Sequence, residues 1–225
     1  MKPYIFSQQS GIHVIDLEKT EKALAEATKF IKEVSAAGGA VIFLATKKQT
    51  AEIVKEEAKR VEAMYLTARW IGGLFTNFDT VKKTLEKLSD LETKYNNKEG
   101  GLTKRELLFL KREIDKMERT LGGVRNLNKL PNALFIVDAR KEDNAVKEAR
   151  KMNIPVVALV DTNADPTGVD YPIPANDDAI KSVSLLVKTI ADAYEEGKRV
   201  WEKKSAGDAK KAEASEKKIT EAATT

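Results

Sequence analysis

The segment Thr67–Phe78 (TARWIGGLFTNF) combines residue types that could contact a nucleic acid. Arg69 and Trp70 place a guanidinium beside a large indole ring, groups that bind phosphate and stack on bases. Two glycines follow, where the backbone can turn sharply because no Cβ is present. The same pattern is typical of an ordinary loop between a strand and a helix, with Trp70 as a core anchor. Spacing alone favours this second interpretation.

Three aspartates form a second group of candidates, because each lies at or just beyond the end of an apolar run. Asp138 is the last residue of ALFIVD, Asp161 directly follows PVVALV, and Asp165 lies in the polar segment DTNADPTG that begins at Asp161. Hard cations such as Mg²⁺ prefer carboxylate oxygens, so these residues are the candidates for a metal site. The segment is also rich in turn-forming residues, and aspartates in such segments more often cap turns and helices.

Several kinds of catalytic chemistry lack the residues that they need. The sequence contains no cysteine, which excludes disulfides, thiolate metal sites and thiol nucleophiles. His13 is the only histidine, and a lone histidine is more often structural than a metal ligand. Thr46–Thr50 follows the first buried run but contains no glycine, so it does not match a phosphate-binding loop. Because no nucleophile–base pair is evident either, we predict that the protein is not an enzyme.

These candidates are positioned by apolar runs that alternate with amphipathic segments. Ala40–Ala45, Ala133–Asp138 and Pro155–Val160 are continuous apolar runs, typical of parallel strands buried on both faces. Two shorter strands are predicted at Met64–Thr67 and Tyr171–Pro174. Helices are predicted at about residues 16–38, 49–62, 142–152 and 176–201. The alternation predicts an α/β fold with a doubly wound, flavodoxin-like, five-stranded parallel sheet in the order 2-1-3-4-5.

About 65 residues separate the second and third predicted strands, which is too long for one crossover helix. Apolar residues recur there at steps typical of a coiled-coil seam: Val81, Leu85, Leu88 and Tyr95, then Leu107, Leu110, Ile114, Met117 and Leu121. Thr103 and Glu106 fit a capping box at the start of the second helix, and Asn96–Gly101 is predicted to be the turn. We therefore predict an antiparallel coiled-coil hairpin that protrudes from the sheet domain.

The chain is predicted to divide into four parts. Residues 1–78 and 128–202 form the α/β domain, and residues 79–127 form the hairpin. Residues 203–225, rich in Lys, Ala and Glu, cannot bury a core and are predicted to be disordered or a loosely attached helix. The net charge of +4 is compatible with an acidic partner. No apolar run approaches the roughly 20 residues of a membrane helix, and no signal peptide is evident, so a soluble cytoplasmic protein is predicted.

Five segments resemble the bacterial ribosomal small-subunit protein S2 family. They are GIHVIDLEKT (Gly11–Thr20), FLATKKQ (Phe43–Gln49), RWIGGLFTNF (Arg69–Phe78), KLPNALFIVD (Lys129–Asp138) and IPVVALVDTNADPTGVDYPIPANDDAI (Ile154–Ile180). They follow the family's order and spacing from about Met1 to Trp201, and the last segment is highly specific. Family members usually carry a further stretch before MKPYIF, where this sequence starts. We expect the sheet domain and the hairpin to join small subunits without that stretch.

The resemblance implies a structural constituent of the small ribosomal subunit that supports translation and is not an enzyme. Such a protein binds small-subunit rRNA and neighbouring ribosomal proteins between head and body, near the mRNA, in the cytoplasm. By this resemblance the candidates for rRNA binding are Lys2, Tyr4, Lys47, Lys48, Arg69, Trp70, Asn77 and Lys82. No cofactor is implied except Mg²⁺ that accompanies rRNA.

Two other classes of function stay open from the residues alone. One is a doubly wound domain that binds Mg²⁺ or a phosphate ligand through Asp138 and Asp161. The other is a coiled-coil adaptor whose hairpin binds a protein partner. The seam of an adaptor would have to continue into its partner. The apolar residues of Leu107–Leu121 can instead be buried within the hairpin itself, which argues against an adaptor.

Overall fold

The computed structural model of the chain describes residues 1–9, 11–97 and 103–222, without the side chains of Lys2, Gln9, Ile12 and residues 207–222. The elements in chain order are β1 (Ile5–Gln9), β2 (Ile12–Ile15), α1 (Leu17–Ala36), β3 (Val41–Leu44), α2 (Lys48–Arg60), β4 (Met64–Leu66), α3 (Phe78–Asn97), α4 (Lys104–Leu121), β5 (Ala133–Val137), α5 (Asp143–Lys151), β6 (Val156–Val160), β7 (Tyr171–Pro174) and α6 (Ile180–Ala222). Most of the predicted turn Asn96–Gly101 lies outside the described residues.

The central sheet has five parallel strands in the order β4-β3-β5-β6-β7. The predicted five-stranded parallel sheet with order 2-1-3-4-5 is therefore confirmed. β3, β5 and β6 are buried along their whole length, as expected for strands covered on both faces.

Helices cover the two faces of this sheet and create two apolar cores. Successive side chains of a strand point to opposite faces, so Ile42 and Leu44 contact one core while Val41 and Phe43 contact the other. The first core contains residues of α3, α4 and α5, and the second contains residues of α1, α2 and α6. Because all five strands are parallel, their carboxyl ends lie at one edge of the sheet.

An antiparallel hairpin of β1 and β2 precedes the sheet domain and was not predicted from the sequence. Gly11 between these strands has a φ of +80°, a conformation that glycine adopts without strain. The strand β1 (IFSQQ) lacks a regular apolar alternation, which is why the segment Met1–Ser10 gave no strand signal. The side chain of Asp16 then caps α1 by accepting from the amides of Glu18 and Lys19.

The helices α3 and α4 contact each other, and both contribute residues to the first core. Thr103 and Glu106 form the predicted capping box at the start of α4. Ile114 and Leu121 of the predicted seam are buried, and Leu107, Leu110 and Met117 are half-buried. Lys87 Nζ lies 2.7 Å from Glu113 Oε1 and joins the two helices on the outside.

The helix α6 continues to Ala222, well beyond the end at about Trp201 that the sequence indicated. Its first half packs on α1 in the second core. Within the described part of the chain, none of the helices has both the length and the apolar character that crossing a membrane requires.

Gly197 in α6 lies against the backbone of α1, and we predict that Gly197→Ala destabilises the protein. A Cβ at this position would lie 2.4 Å from the carbonyl oxygen of Lys32 and 2.8 Å from Cβ of Ser35, so α1 and α6 would have to separate. Overpacking of this kind costs about 1–3 kcal/mol, which exceeds the helix propensity of roughly 1 kcal/mol that alanine gains over glycine.

Thermal unfolding of Gly197→Ala against Gly72→Ala tests this prediction. A Cβ at Gly72 would meet nothing within 4 Å, and the φ of this residue is not positive. We expect a lowered Tm for Gly197→Ala and an unchanged Tm for Gly72→Ala. Equal melting temperatures for Gly197→Ala and the parent would show that the two helices adjust freely.

Candidate nucleic-acid interface

The carboxylate of Glu148 on α5 holds the loop Thr67–Asn77 in place. It accepts five hydrogen bonds, from Trp70 Nε1 at 3.0 Å, Gly73 N at 2.8 Å, Phe75 N at 3.2 Å, Thr76 N at 3.4 Å and Thr76 Oγ1 at 3.2 Å. Burial opposes ionisation of this group, but the hydrogen bonds outweigh burial and lower the pKa of Glu148 below its ordinary value. The loop is thus wrapped around one ionised side chain.

Within that loop, the neighbours Arg69 and Trp70 have different surroundings. Trp70 is half-buried, donates to Glu148 and meets the ring of Phe75 edge-on, with 5.1 Å between ring centroids. Its indole therefore anchors the loop to α5. Arg69 is exposed and forms no ion pair with any other residue that the structure describes. Gly73 has a φ of +83°, which explains the glycine in the turn between them and α3.

Lys47, at the carboxyl end of β3, is surrounded by carboxylates. Its Nζ lies 2.9 Å from Asp138 Oδ2, 2.8 Å from Asp177 Oδ1 and 2.8 Å from Asp178 Oδ1, while only 17% of its side chain is exposed. Burial disfavours the charged form, but these three hydrogen bonds raise the pKa of Lys47. An ammonium group has three hydrogens, so no donor is left for a phosphate. This geometry does not favour Lys47 as an rRNA contact and makes it part of the sheet edge instead.

Two carboxyl groups at the same edge have raised pKa values. Burial raises the pKa of Asp177 to about 6, with a further contribution from Asp138 and an opposing one from Lys47. Burial also raises the pKa of Glu142, whose carboxylate accepts a hydrogen bond from the hydroxyl of Thr46. The edge therefore contains acids that protonate closer to neutral pH than exposed carboxyls do.

The three aspartates considered as metal ligands serve local roles in the structure. Asp138, with a φ of +73°, accepts from the amide of Lys141 in addition to binding Lys47. Asp161 accepts from the next backbone amide in the chain, and Asp165 accepts from the amide and hydroxyl of Thr167. No cluster of three or more His, Cys, Asp or Glu side chains suited to a metal ion occurs in residues 1–9, 11–97 and 103–222.

The other predicted contact residues lie on several elements. Lys48 is exposed at the first position of α2, and Lys82 is exposed on α3. Asn77 is exposed and its side chain accepts from the hydroxyl of Thr80. Tyr4 is half-buried, and its carbonyl accepts from the amide of Asp16. The side chain of Lys2 is outside the described residues.

The structure brings two of these cations to neighbouring loops. β3 and β4 are adjacent parallel strands with Leu44 opposite Leu66, so the loops that follow them begin at the same edge of the sheet. Lys48 lies just beyond one strand and Arg69 just beyond the other. Neither cation has a carboxylate partner among the described residues. This edge therefore presents two free positive charges on rigid supports.

The sequence analysis did not identify Glu148 as the residue that holds the loop, and it did not consider which side chains lie on the exposed face of α4. Glu148 lies 78 residues from Trp70 in the chain, and one glutamate in a short helix carries no local signal. The residues on the exposed face of α4 could have been predicted, because the predicted seam Leu107–Leu121 determines which residues lie on the opposite side of the helix.

Comparison with known proteins gives consistent results. A family model described as Ribosomal protein S2 matches residues 1–197. The chain is 53% identical over 199 residues to the small ribosomal subunit protein uS2 of Thermobifida fusca, covering 88% of this chain and 68% of that protein. It is 50% identical over 211 residues to uS2 of Nocardia farcinica, covering 93% of this chain and 74% of that protein. It is 52% identical over 199 residues to uS2 of Acidothermus cellulolyticus, covering 88% of this chain and 72% of that protein.

Proposed function

Because the chain belongs to the ribosomal protein S2 family, we propose that it binds small-subunit rRNA through the loops at the carboxyl edge of its sheet. The protein is a structural, non-enzymatic component of the small ribosomal subunit. Its partners in our proposal are rRNA and neighbouring ribosomal proteins between head and body, near the mRNA.

The observation that carries this proposal is a pair of exposed cations, Lys48 at the start of α2 and Arg69 in the loop after β4, neither of which has an ion-pair partner among the described residues. Lys48 lies at the start of a helix and Arg69 lies in the loop bound to Glu148. Because their backbones are already ordered, little backbone entropy is lost when RNA binds. Cations of this kind neutralise phosphates and release counterions. Asn77 and Lys82, exposed at and after the start of α3, extend the same proposed contact. Trp70 supports this surface through its hydrogen bond to Glu148, and Tyr4 stays a further candidate contact.

We propose further that α3 and α4 form an antiparallel coiled-coil hairpin that protrudes from the sheet domain. The capping box at Thr103, the ion pair of Lys87 with Glu113 and the buried seam residues Ile114 and Leu121 support this arrangement. In this proposal residues 79–127 are a separate arm, while residues 1–78 and 128–202 fold together. Such an arm would extend the contact with the ribosome beyond the sheet edge.

Reversing both free cations, in Lys48→Glu with Arg69→Glu, should weaken binding to small-subunit rRNA and reduce its salt dependence. Each lost phosphate contact lowers the slope of log K against log salt by about 0.7–0.9, so the double variant should lose about 1.4–1.8. The measurement is a salt titration of the affinity for a fragment of small-subunit rRNA, made on the parent and the variant.

Lys22→Glu with Lys188→Glu is the matched control, because it makes the same change in net charge on α1 and α6. Both lysines are exposed and form no ion pair within the described part of the chain. An equal loss of affinity in the control would mean that net charge, not the sheet edge, determines binding. Co-sedimentation of the tagged parent with small subunits, but not of the edge variant, would extend the result to the particle.

A further inference from the structure

The face of α4 opposite its buried seam carries four cations around one aromatic ring. A helix has 3.6 residues per turn, so a single face collects Arg105, Phe109, Arg112, Lys116 and Arg119. We call these five residues the α4 strip. All of them are exposed, and the ring of Phe109 is 55% exposed. A large apolar ring thus stands in solvent in the middle of positive charge.

The carboxylates of α4 lie beside the strip, and most of them are already engaged. Glu106 closes the capping box with Thr103, and Glu113 pairs with Lys87. Glu118 lies 3.5 Å from Arg125, on the side of the helix away from the strip. Asp115 flanks the strip and forms no ion pair with another residue that the structure describes. The four cations of the strip consequently have no carboxylate partner among the described residues.

Arg105 and Phe109 are stacked before any ligand binds. The Cζ atom of Arg105 lies 5.8 Å from the centroid of the Phe109 ring, within the range of a cation–π contact. This contact orders a guanidinium plane and a ring on one turn of the helix. Unpaired bases stack on such rings and planes in RNA complexes, while neighbouring cations follow the strand's phosphates.

We propose that the α4 strip binds an unpaired segment of RNA, with a base stacked on Arg105 and Phe109 and phosphates held by Arg112, Lys116 and Arg119. The inference rests on the proposed function in that the ligand is RNA. It adds a second site, on α4 rather than at the sheet edge, and a preference for unpaired over duplex RNA. A duplex hides its bases, so it can meet the cations but not the ring.

Charge distribution favours RNA over a protein on this face. The four cations have no carboxylate partner among the described residues, so the strip complements the continuous negative charge of an RNA backbone. The cations surround the ring on the central line of the face. Leu108, 51% exposed, lies to one side of this line. A protein-docking face would use Leu108 and Phe109 together, whereas a stacking site needs only Phe109.

The test measures the affinity of the full chain for a short oligoadenylate and for an RNA duplex of the same length. We expect Phe109→Ala to weaken binding of the single strand by about 5- to 150-fold, the range for loss of one base–aromatic stack, with no change in salt slope. Phe109→Leu should behave like Phe109→Ala, and Phe109→Trp should restore binding. Lys116→Gln should instead reduce the salt slope by about 0.7. Duplex binding should be unchanged by Phe109→Ala.

Leu108→Ala is the matched control, since it removes an equally exposed apolar side chain from the adjacent position. It should leave the affinity for oligoadenylate unchanged. Equal affinities for the parent and Phe109→Ala, or an equal loss in Leu108→Ala, would overturn the inference and indicate a protein-docking face. The proposed function is tested separately by Lys48 and Arg69, whose loss of rRNA binding does not depend on the result at Phe109.

Discussion

Lys47→Ala is expected to destabilise the protein by about 3–4 kcal/mol, because its removal leaves Asp138 and Asp177 buried without their counterion. The figure lies in the lower part of the range for broken buried ion pairs because the third partner, Asp178, is 71% exposed. Denaturant unfolding measures the change. Lys48→Ala is the control, since this neighbour is exposed and forms no ion pair within the described part of the chain, and it should shift stability by less than about 0.5 kcal/mol.

The cost of Lys47→Ala should depend on pH in a defined direction. Burial raises the pKa of Asp177 to about 6, above the unfolded value of 3.8, so its protonation favours the folded state as pH falls through 6. Loss of the ammonium raises this pKa further, because one of the contributions that lower it disappears. The destabilisation should therefore be largest well above pH 6 and shrink as pH falls towards 6, because Asp177 is then protonated in the variant while it is still ionised in the parent. A cost that does not change over this interval, or one no larger than that of Lys48→Ala, would contradict the ion-pair arrangement.

The contrast between Lys47 and Lys48 illustrates what sequence could and could not determine. Both lysines follow the same buried run, and both were candidates for phosphate. Their roles separate only because Asp177 and Asp178 arrive from a segment some 130 residues away. The run AVIFLA and its partners, by contrast, are local signals that predicted the sheet and its order. Tertiary contacts carry no such signal, which is why the sheet was predictable and the partners of Lys47 were not.

The same distinction applies to the remaining elements. The hairpin of β1 and β2 was missed because IFSQQ has no alternation to indicate which face is buried. The capping box at Thr103 was predicted because its two residues lie in one turn of a helix. For Trp70, the neighbouring sequence was compatible with a core anchor or with a residue that stacks on bases. Only the hydrogen bond to Glu148 on α5 distinguishes the two roles.

Glu148→Ala should destabilise the protein by about 3 kcal/mol, since it removes the acceptor of five hydrogen bonds and leaves five donor groups of a packed loop without it. The pKa of Glu148 is lowered on folding, so its ionised form stabilises the fold above the unfolded value of 4.5. This stabilisation is lost as pH falls through the lower folded pKa. The difference between the parent and Glu148→Gln should accordingly be full at neutral pH and shrink in acid. Lys151→Ala, an exposed change on the same helix, should be neutral.

The effect of Trp70→Ala should be coupled to that of Glu148→Ala, because Trp70 donates a hydrogen bond to Glu148. We expect Trp70→Ala to lower the free energy of unfolding by about 3 kcal/mol through loss of the half-buried ring. This figure is at the low end of the range for a fully buried tryptophan. The double variant should cost at least 0.5 kcal/mol less than the sum of the two single variants, as residues in one network do not act additively. Both single variants should also weaken rRNA binding, because Arg69 loses the rigid loop that positions it. Strict additivity, or rRNA affinity unaffected by either variant, would mean that the loop around Glu148 does not position the proposed interface.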